Sequence, residues 1–380
     1  MVPRSRLARA TEYVLDRSLL LVAGAVAALV WANVDLVRYH HFAEPLHFIV
    51  NDVGMVFFFA LAAKEVFEAT LPGGPLASPR RAAVPLLAAA GGMLAPALIF
   101  IALTHGIGEP RLLRGWAIPC ATDIAFSYLV ARAIFGTRHA AVPFLLLLAI
   151  ADDALGLIIL ALFYPSGQIR LLEFFGLLAM AMALAAWMRH RHVRSFWPFV
   201  TVAGAISWIA FERGGFHPAL ALVPIVPFIP HAPRGHEILQ ETRRHDPLTM
   251  FEHQWKTPVQ IILFFFGLVN AGVPFGSLGA ATWVVLAAIM LGKPIGIVLS
   301  TAAASLVRLH RPAGLDWRDL LVIGCVAGIG FTVALFFTTA AFPANHPLLD
   351  ETKMGALLSF GATVPAFALA WLLGVGRFSR

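Results

Sequence analysis

The residues best placed to do chemistry in this chain are charges set inside apolar sequence. Asp152 and Asp153 are neighbours in Ala149-Ile-Ala-Asp-Asp-Ala-Leu-Gly156. Adjacent helical positions differ by about 100°, so both carboxylates can line one cavity without pointing the same way. Two carboxylates in a low-dielectric cavity cannot both ionise cheaply, and such a pair titrates as a unit. A small hard cation can replace the protons, because it neutralises the pair and takes oxygen ligands. Competition between protons and a cation for one carboxylate site is the chemistry of ion exchange. Asp123, Lys293 and the pair Lys64-Glu65 are the other charges lying deep in apolar stretches. An ionised side chain at a bilayer centre costs at least ~2.5–3.5 kcal/mol, and it persists where it faces protein or water and has a task. One such residue is explained by a structural ion pair; three aspartates and a lysine in one chain point to function.

The composition says what must hold these charges. Of 380 residues, 59% are hydrophobic and 13% charged, with mean hydropathy +0.80. A soluble domain carries about 25% charged residues, so a soluble enzyme, a nucleic-acid binder and a disordered chain are excluded, and lipid is the solvent that fits. A span needs about 20 mostly apolar residues. The expected all-α membrane fold has twelve spans, at about 17–35, 47–70, 83–104, 116–135, 141–163, 171–188, 195–211, 214–230, 257–273, 280–304, 319–342 and 354–376. The charge-free stretch 257–292 is too long for one helix and is divided at Asn270-Ala-Gly-Val-Pro274. The first span, without a cleavage site near 11–16, reads as retained. Of the 28 Lys and Arg residues, 19 fall on the side of the termini, 6 on the other side and 3 within spans. That bias places both termini in the cytoplasm. The chain reads as one transmembrane domain, 1–380, with a cytoplasmic linker at about 231–256 containing a helical turn or more. Cys120 and Cys325 lie in spans and need no disulfide.

Two spans should be interrupted. Pro119 removes a backbone donor and clashes with the preceding turn just before Thr122 and Asp123, in Gly115-Trp-Ala-Ile-Pro-Cys-Ala-Thr-Asp-Ile-Ala-Phe126. The eleventh span contains Gly324-Cys-Val-Ala-Gly-Ile-Gly-Phe-Thr332, whose glycines permit unwinding or close helix packing. Freed backbone groups are tolerated only beside protein or a wet cavity. Spans three to five and ten to twelve (about 83–163 and 280–376) thus form matching triplets, each with a suspect middle helix. Half-helix ends carry partial charges of both signs. Asp123 suits the positive ends, and Lys293, in Leu291-Gly-Lys-Pro-Ile-Gly296, suits the negative ends.

With these segments in view, the chain resembles the NhaA-type sodium/proton antiporter family. The likeness rests on Asn51-Asp52…Phe57-Phe58, the Thr122-Asp123 segment, Asp152-Asp153 with Ala161-Leu-Phe-Tyr164, and Gly292-Lys-Pro-Ile-Gly296. Asn270-Ala-Gly-Val273 and Gly328-Ile-Gly-Phe-Thr332 extend it over nearly the whole chain. Paired interrupted helices mark transporter sites, a rule for which this family is itself an example. The resemblance implies twelve helices in inverted repeats, with the fourth and eleventh unwound and crossing at mid-membrane. It implies electrogenic exchange of cytoplasmic Na+ (or Li+) for external H+ across the cell inner membrane, serving pH and sodium homeostasis, without a cofactor. Residue by residue, it implies Asp153 as main cation ligand and proton carrier, and Asp152 as its partner, bridged to Lys293 when no cation is bound. Thr122 is then an oxygen ligand, so that Na+ binds at Asp153, Asp152 and Thr122, and Asp123 balances the helix dipoles. Glu65, His217, Glu252 and His253 match positions that the family ties to pH control.

The sequence departs from the family around those last positions. Lys64 stands where an apolar residue is usual, Phe67 and Glu68 replace a basic pair, Pro218 follows His217, and Lys256 replaces a common histidine. Lys64 and Glu68, four residues apart, are expected to pair on one helix face. The first external loop, 35–46, lacks the two alternating strands through which family members dimerise, so a monomer or weak homodimer is expected. The alternative function is sodium-coupled organic-anion transport on the same fold. An intramembrane aspartyl protease is disfavoured because its aspartates lie on two facing helices, and a passive channel because no ring of polar residues repeats.

Overall fold

The structure is a computed structural model describing residues 19–231, 246–307, 309 and 311–378. All regular structure among the described residues is helical. Helix α1 (Leu19–Val34) and the short α2 (Leu36–Ala43) lead into a wide π-helical stretch, Phe48–Gly54, that continues as α3 (Met55–Thr70). Then come α4 (Pro79–Ile107), α5 (Ile124–Phe135), α6 (Ala141–Phe163), α7 (Leu171–His190) and α8 (Gly204–Gly214), the last preceded by a second π-helical stretch, Phe199–Ala203. After 232–245, outside the described residues, follow α9 (Pro247–Asn270), α10 (Ala280–Leu306), α11 (Trp317–Ala327), α12 (Phe331–Ala341), α13 (Leu348–Leu358) and α14 (Thr363–Leu373).

Among the described residues, six helical runs are long and apolar enough to cross a membrane, and up to eight if each bent pair is one span. The expected spans 47–70, 83–104, 141–163, 171–188, 280–304 and 354–376 fall inside those six. The expected 116–135 and 319–342 are the two bent pairs, with angles of 54° and 49°. Each break sits where the sequence placed it, at 121–123 after Pro119 and at 328–330 in the glycine segment. Segment 214–230 is not a continuous α-helix. It turns through short 3₁₀ pieces, Pro218–Leu220 and Val226–Phe228, because Pro218, Pro224 and Pro227 remove donors every few residues. Of the expected linker, the described 246–256 begins α9, with Asp246 accepting the Thr249 amide at 2.6 Å as its cap. The loop 35–46 is helical.

The tightest packing positions the lysine. Among the described helices, α4 and α10 make the most extensive contact. Gly292 and Gly296 allow it: a Cβ on Gly296 would lie 2.0 Å from the Gly91 carbonyl oxygen, and one on Gly292 would lie 2.4 Å from Pro96 Cα. This backbone approach buries Lys293, between those glycines, to 0% exposure.

Candidate functional site

The two helix breaks meet. The Asp123 amide donates to the Ile329 carbonyl at 2.7 Å, joining one break to the other. Asp123 then serves two helix starts with one carboxylate. Its Oδ1 accepts the Ala125 and Phe126 amides at the head of α5, at 3.1 and 3.3 Å. Its Oδ2 accepts the Thr332 amide at 3.3 Å, at the head of α12, and the Thr332 hydroxyl. A carboxylate at a helix N-terminus is favoured by the unpaired amides and the helix dipole, and here one aspartate answers two. The carbonyl end of α11 is met by hydroxyls, since Thr122 lies 2.9 Å from the Ala327 oxygen and Ser127 donates to Val326 at 3.0 Å. Lys293, expected to suit the negative helix ends, is linked to the Ala327 carbonyl through the Thr122 hydroxyl, to which it donates at 2.8 Å. Ser127 and Thr332 were missed as site residues, although Thr332 is the second residue after the glycine break.

Lys293 Nζ donates to Asp152 Oδ2 at 2.6 Å and to Thr122 Oγ1 at 2.8 Å. Thr122 Oγ1 is also 2.7 Å from Asp152 Oδ2, so its single proton goes either there or to Ala327. Asp152 is fully inside, and its other oxygen, Oδ1, is buried with no hydrogen-bond partner among the described residues. Asp153 is half-buried and makes no hydrogen bond or ion pair among the described residues. It borders two cavities. One, of about 220 Å³, runs past Thr122, Asp123 and Thr332 to Lys64, Glu65, Glu252 and the exposed Lys256. The other, of about 20 Å³, has room for roughly one water and is walled by Phe58, Phe59, Met93, Leu160, Phe336 and Phe337. One carboxylate is locked to a cation; the other stands between a polar funnel and an apolar barrier.

The four candidates for pH control do not form one cluster. Glu65 and Glu252 both line the funnel. Lys64, 5% exposed, pairs with Glu68 at 3.0 Å and with Glu252, tying α3 to α9. His253 is exposed and makes no hydrogen bond or ion pair among the described residues. His217 lies elsewhere, with its ring against Phe336 and its Nδ1 3.9 Å from Asp52 Oδ1.

Residues 11–373 match the family described as Na+/H+ antiporter 1. A Na(+)/H(+) antiporter NhaA from Jannaschia sp. (strain CCS1) is 45% identical, over 97% of this chain and 99% of that protein. One from Desulfitobacterium hafniense (strain DSM 10664 / DCB-2) is 46% identical over 96% of each chain, and one from Geobacter metallireducens is 45% identical over 94% of this chain and 96% of its own. Among solved structures, the sodium proton antiporter MjNhaP1 from Methanocaldococcus jannaschii superposes with a TM-score of 0.57 over 96% of this chain and 92% of that one. At 14% identity, that likeness concerns the fold.

Proposed function

The chain belongs to the Na+/H+ antiporter 1 family and exchanges sodium for protons, and from that premise we propose that Asp153 is the carboxylate that alternately takes a cation and protons. It is an integral membrane transporter and not an enzyme. The observation carrying the site is the asymmetry of the two aspartates. Asp152 is held by Lys293, while Asp153 has no hydrogen-bond or ion-pair partner among the described residues and faces the funnel. An arriving Na+ (or Li+) is bound by Asp153, by Asp152 and by Thr122. Asp152 Oδ1, buried and unpartnered, supports that ligand role. Cation binding draws Asp152 away from Lys293, and protonation of Asp153 restores the bridge. Neither state leaves more than one charge uncompensated, which the low-dielectric site requires. Asp123 holds the two helix starts in place and does not travel with the ion.

The finer architecture is proposed on the same ground: twelve spans in inverted repeats, the interrupted fourth and eleventh crossing at the site, and both termini cytoplasmic in the inner membrane. The funnel then faces the cytoplasm, where positive residues concentrate. Glu65, Glu252 and His253 modulate entry at the funnel rim. The helical 35–46 loop favours a monomer or weak dimer. Organic-anion transport has no support in the relatives described. The test is proton flux in inverted vesicles on addition of sodium, lithium or potassium over a range of pH. Sodium and lithium should dissipate a preformed proton gradient; no response to sodium at any pH contradicts the reading.

A further inference from the structure

On the narrow side of Asp153 the wall is apolar, and nothing in the site described so far passes a proton across it. The ring of Phe336 closes that side, packed against Phe59 with centroids 4.8 Å apart. Beyond it is a titratable pair. His217 lies against the same Phe336 ring, also at 4.8 Å between centroids, and its Nδ1 faces Asp52 Oδ1 at 3.9 Å. Neither residue makes another ion pair among the described residues. The side chains are 11% and 29% exposed, so the aspartate is the wetter of the two.

The backbone around both is unusual. Asp52 sits in the π-helical stretch Phe48–Gly54, and such wide turns gather at functional sites. Its carbonyl is fixed by the Trp208 Nε1–H at 2.9 Å. His217 precedes the 3₁₀ piece Pro218–Leu220, and its Nδ1 accepts the Ala219 amide at 3.4 Å. A nitrogen that accepts carries no proton, so in this state the ring proton is on Nε2. The same Nδ1 is the atom nearest Asp52. Protonated there, the ring gives up the amide and gains a carboxylate partner within a movement of less than about 1 Å of hydrogen-bond distance. Both protonation states of His217 therefore have a partner in place.

We propose that Asp52 and His217 are the proton relay on the side of Asp153 opposite the funnel, with Phe336 as the barrier between the relay and the exchanging carboxylate. This rests on the reading of Asp153 given above. A proton taken from Asp52 at Nδ1 and another passed from Nε2 to the Asp153 carboxylate, once the Phe336 ring gives way, leave the ring neutral and carry one proton inward; Asp52, 29% exposed, is reprotonated from water, and a ring flip restores the first tautomer. His217 thus works on the far-side route and not in the rim cluster with Glu65 and Glu252.

The test uses the purified full-length protein in liposomes, with sodium uptake driven by a pH gradient. Asp52→Asn and His217→Asn should each lower the maximal rate by about 100-fold, the low end of what a positioned proton carrier contributes. The sodium concentration for half-maximal rate and sodium binding in detergent should not change. The residual rate should show a larger solvent deuterium effect than the parent, because proton transfer has become limiting. Asp52→Glu, which keeps the carboxylate, should recover most of the rate. Rates within about twofold of the parent in both variants overturn the relay. So does a loss in which sodium binding and thermal stability fall with the rate and the deuterium effect stays put, the mark of a packing role. Asp153→Asn separates the two readings: it should lose sodium binding, which the relay variants keep, and if it exchanges normally the site assignment fails instead.

Discussion

The helix-break site and the funnel rim both gather charged side chains, and they differ in how those charges are held. At the break, Asp152, Lys293, Thr122 and Asp123 are all buried, and each is fixed by hydrogen bonds of 2.6–3.3 Å to a partner on another element or to a helix end. At the rim, Lys64 is buried, but its partner Glu252 has a side chain 44% exposed and Glu68 has one 18% exposed. Water can replace a lost partner at the rim and cannot at the break. Burial thus prescribes residue types in one region, and exposure leaves the other open to different pairings.

The contrast yields predictions in descending order of effect. Asp153→Asn keeps the volume and removes the charge and the titration. It should abolish sodium-driven proton release in inverted vesicles while insertion and thermal unfolding stay near the parent's; exchange at a normal rate would remove the site from the break. Lys293→Ala leaves Asp152 unpaired in a dry site and should destabilise the protein by ~3–5 kcal/mol. Adding Asp152→Asn should recover part of that loss, so thermal unfolding of the two single variants and the double variant gives a coupling energy, and strict additivity would deny the pairing. Asp123→Ala uncaps two helices at once, and each cap is worth ~0.5–2 kcal/mol. Its unfolding temperature should fall further than that of Asp123→Asn, which keeps an acceptor for the amides. Lys64→Leu, at the rim, removes a buried cation, but its partners Glu68 and Glu252 keep side chains 18% and 44% exposed, so it should cost less than the ~3–5 kcal/mol of a fully buried pair and leave the maximal exchange rate unchanged. A loss as large as that of Lys293→Ala would erase the distinction between the two regions.

How much of this was readable beforehand follows the same division. The breaks were legible because Pro119 and the Gly324–Gly330 segment alter backbone chemistry locally, and the Lys64–Glu68 pair because helical spacing alone brings it together. The double capping by Asp123 was half legible: its charge suited a helix start, but Thr332 joins it only through the meeting of two segments some 200 residues apart, as the 209-residue separation of that bond shows. Ser127 carries no local signal, since one hydroxyl in a span is ordinary, and Asp52 stood out only as part of the Asn51-Asp52 segment of the family resemblance, with nothing to pair it with His217. His217 was expected to act in pH control by resemblance alone, and its place beside Phe336 depends on how α12 and the irregular 214–230 segment pack. That segment read as a span by its apolar content, and its prolines, not its hydropathy, decided its conformation.

The central claim is that protons and sodium compete for one carboxylate site. It is tested most directly by sodium-dependent proton flux from about pH 6 to 9, measured at low and at saturating sodium. Competition predicts that the half-saturating sodium concentration rises as pH falls, by up to about tenfold per pH unit for one proton displaced per cation, while saturating sodium restores the full rate at acidic pH. A transporter that stays silent at acidic pH under saturating sodium would contradict the claim and place pH control in a separate sensor.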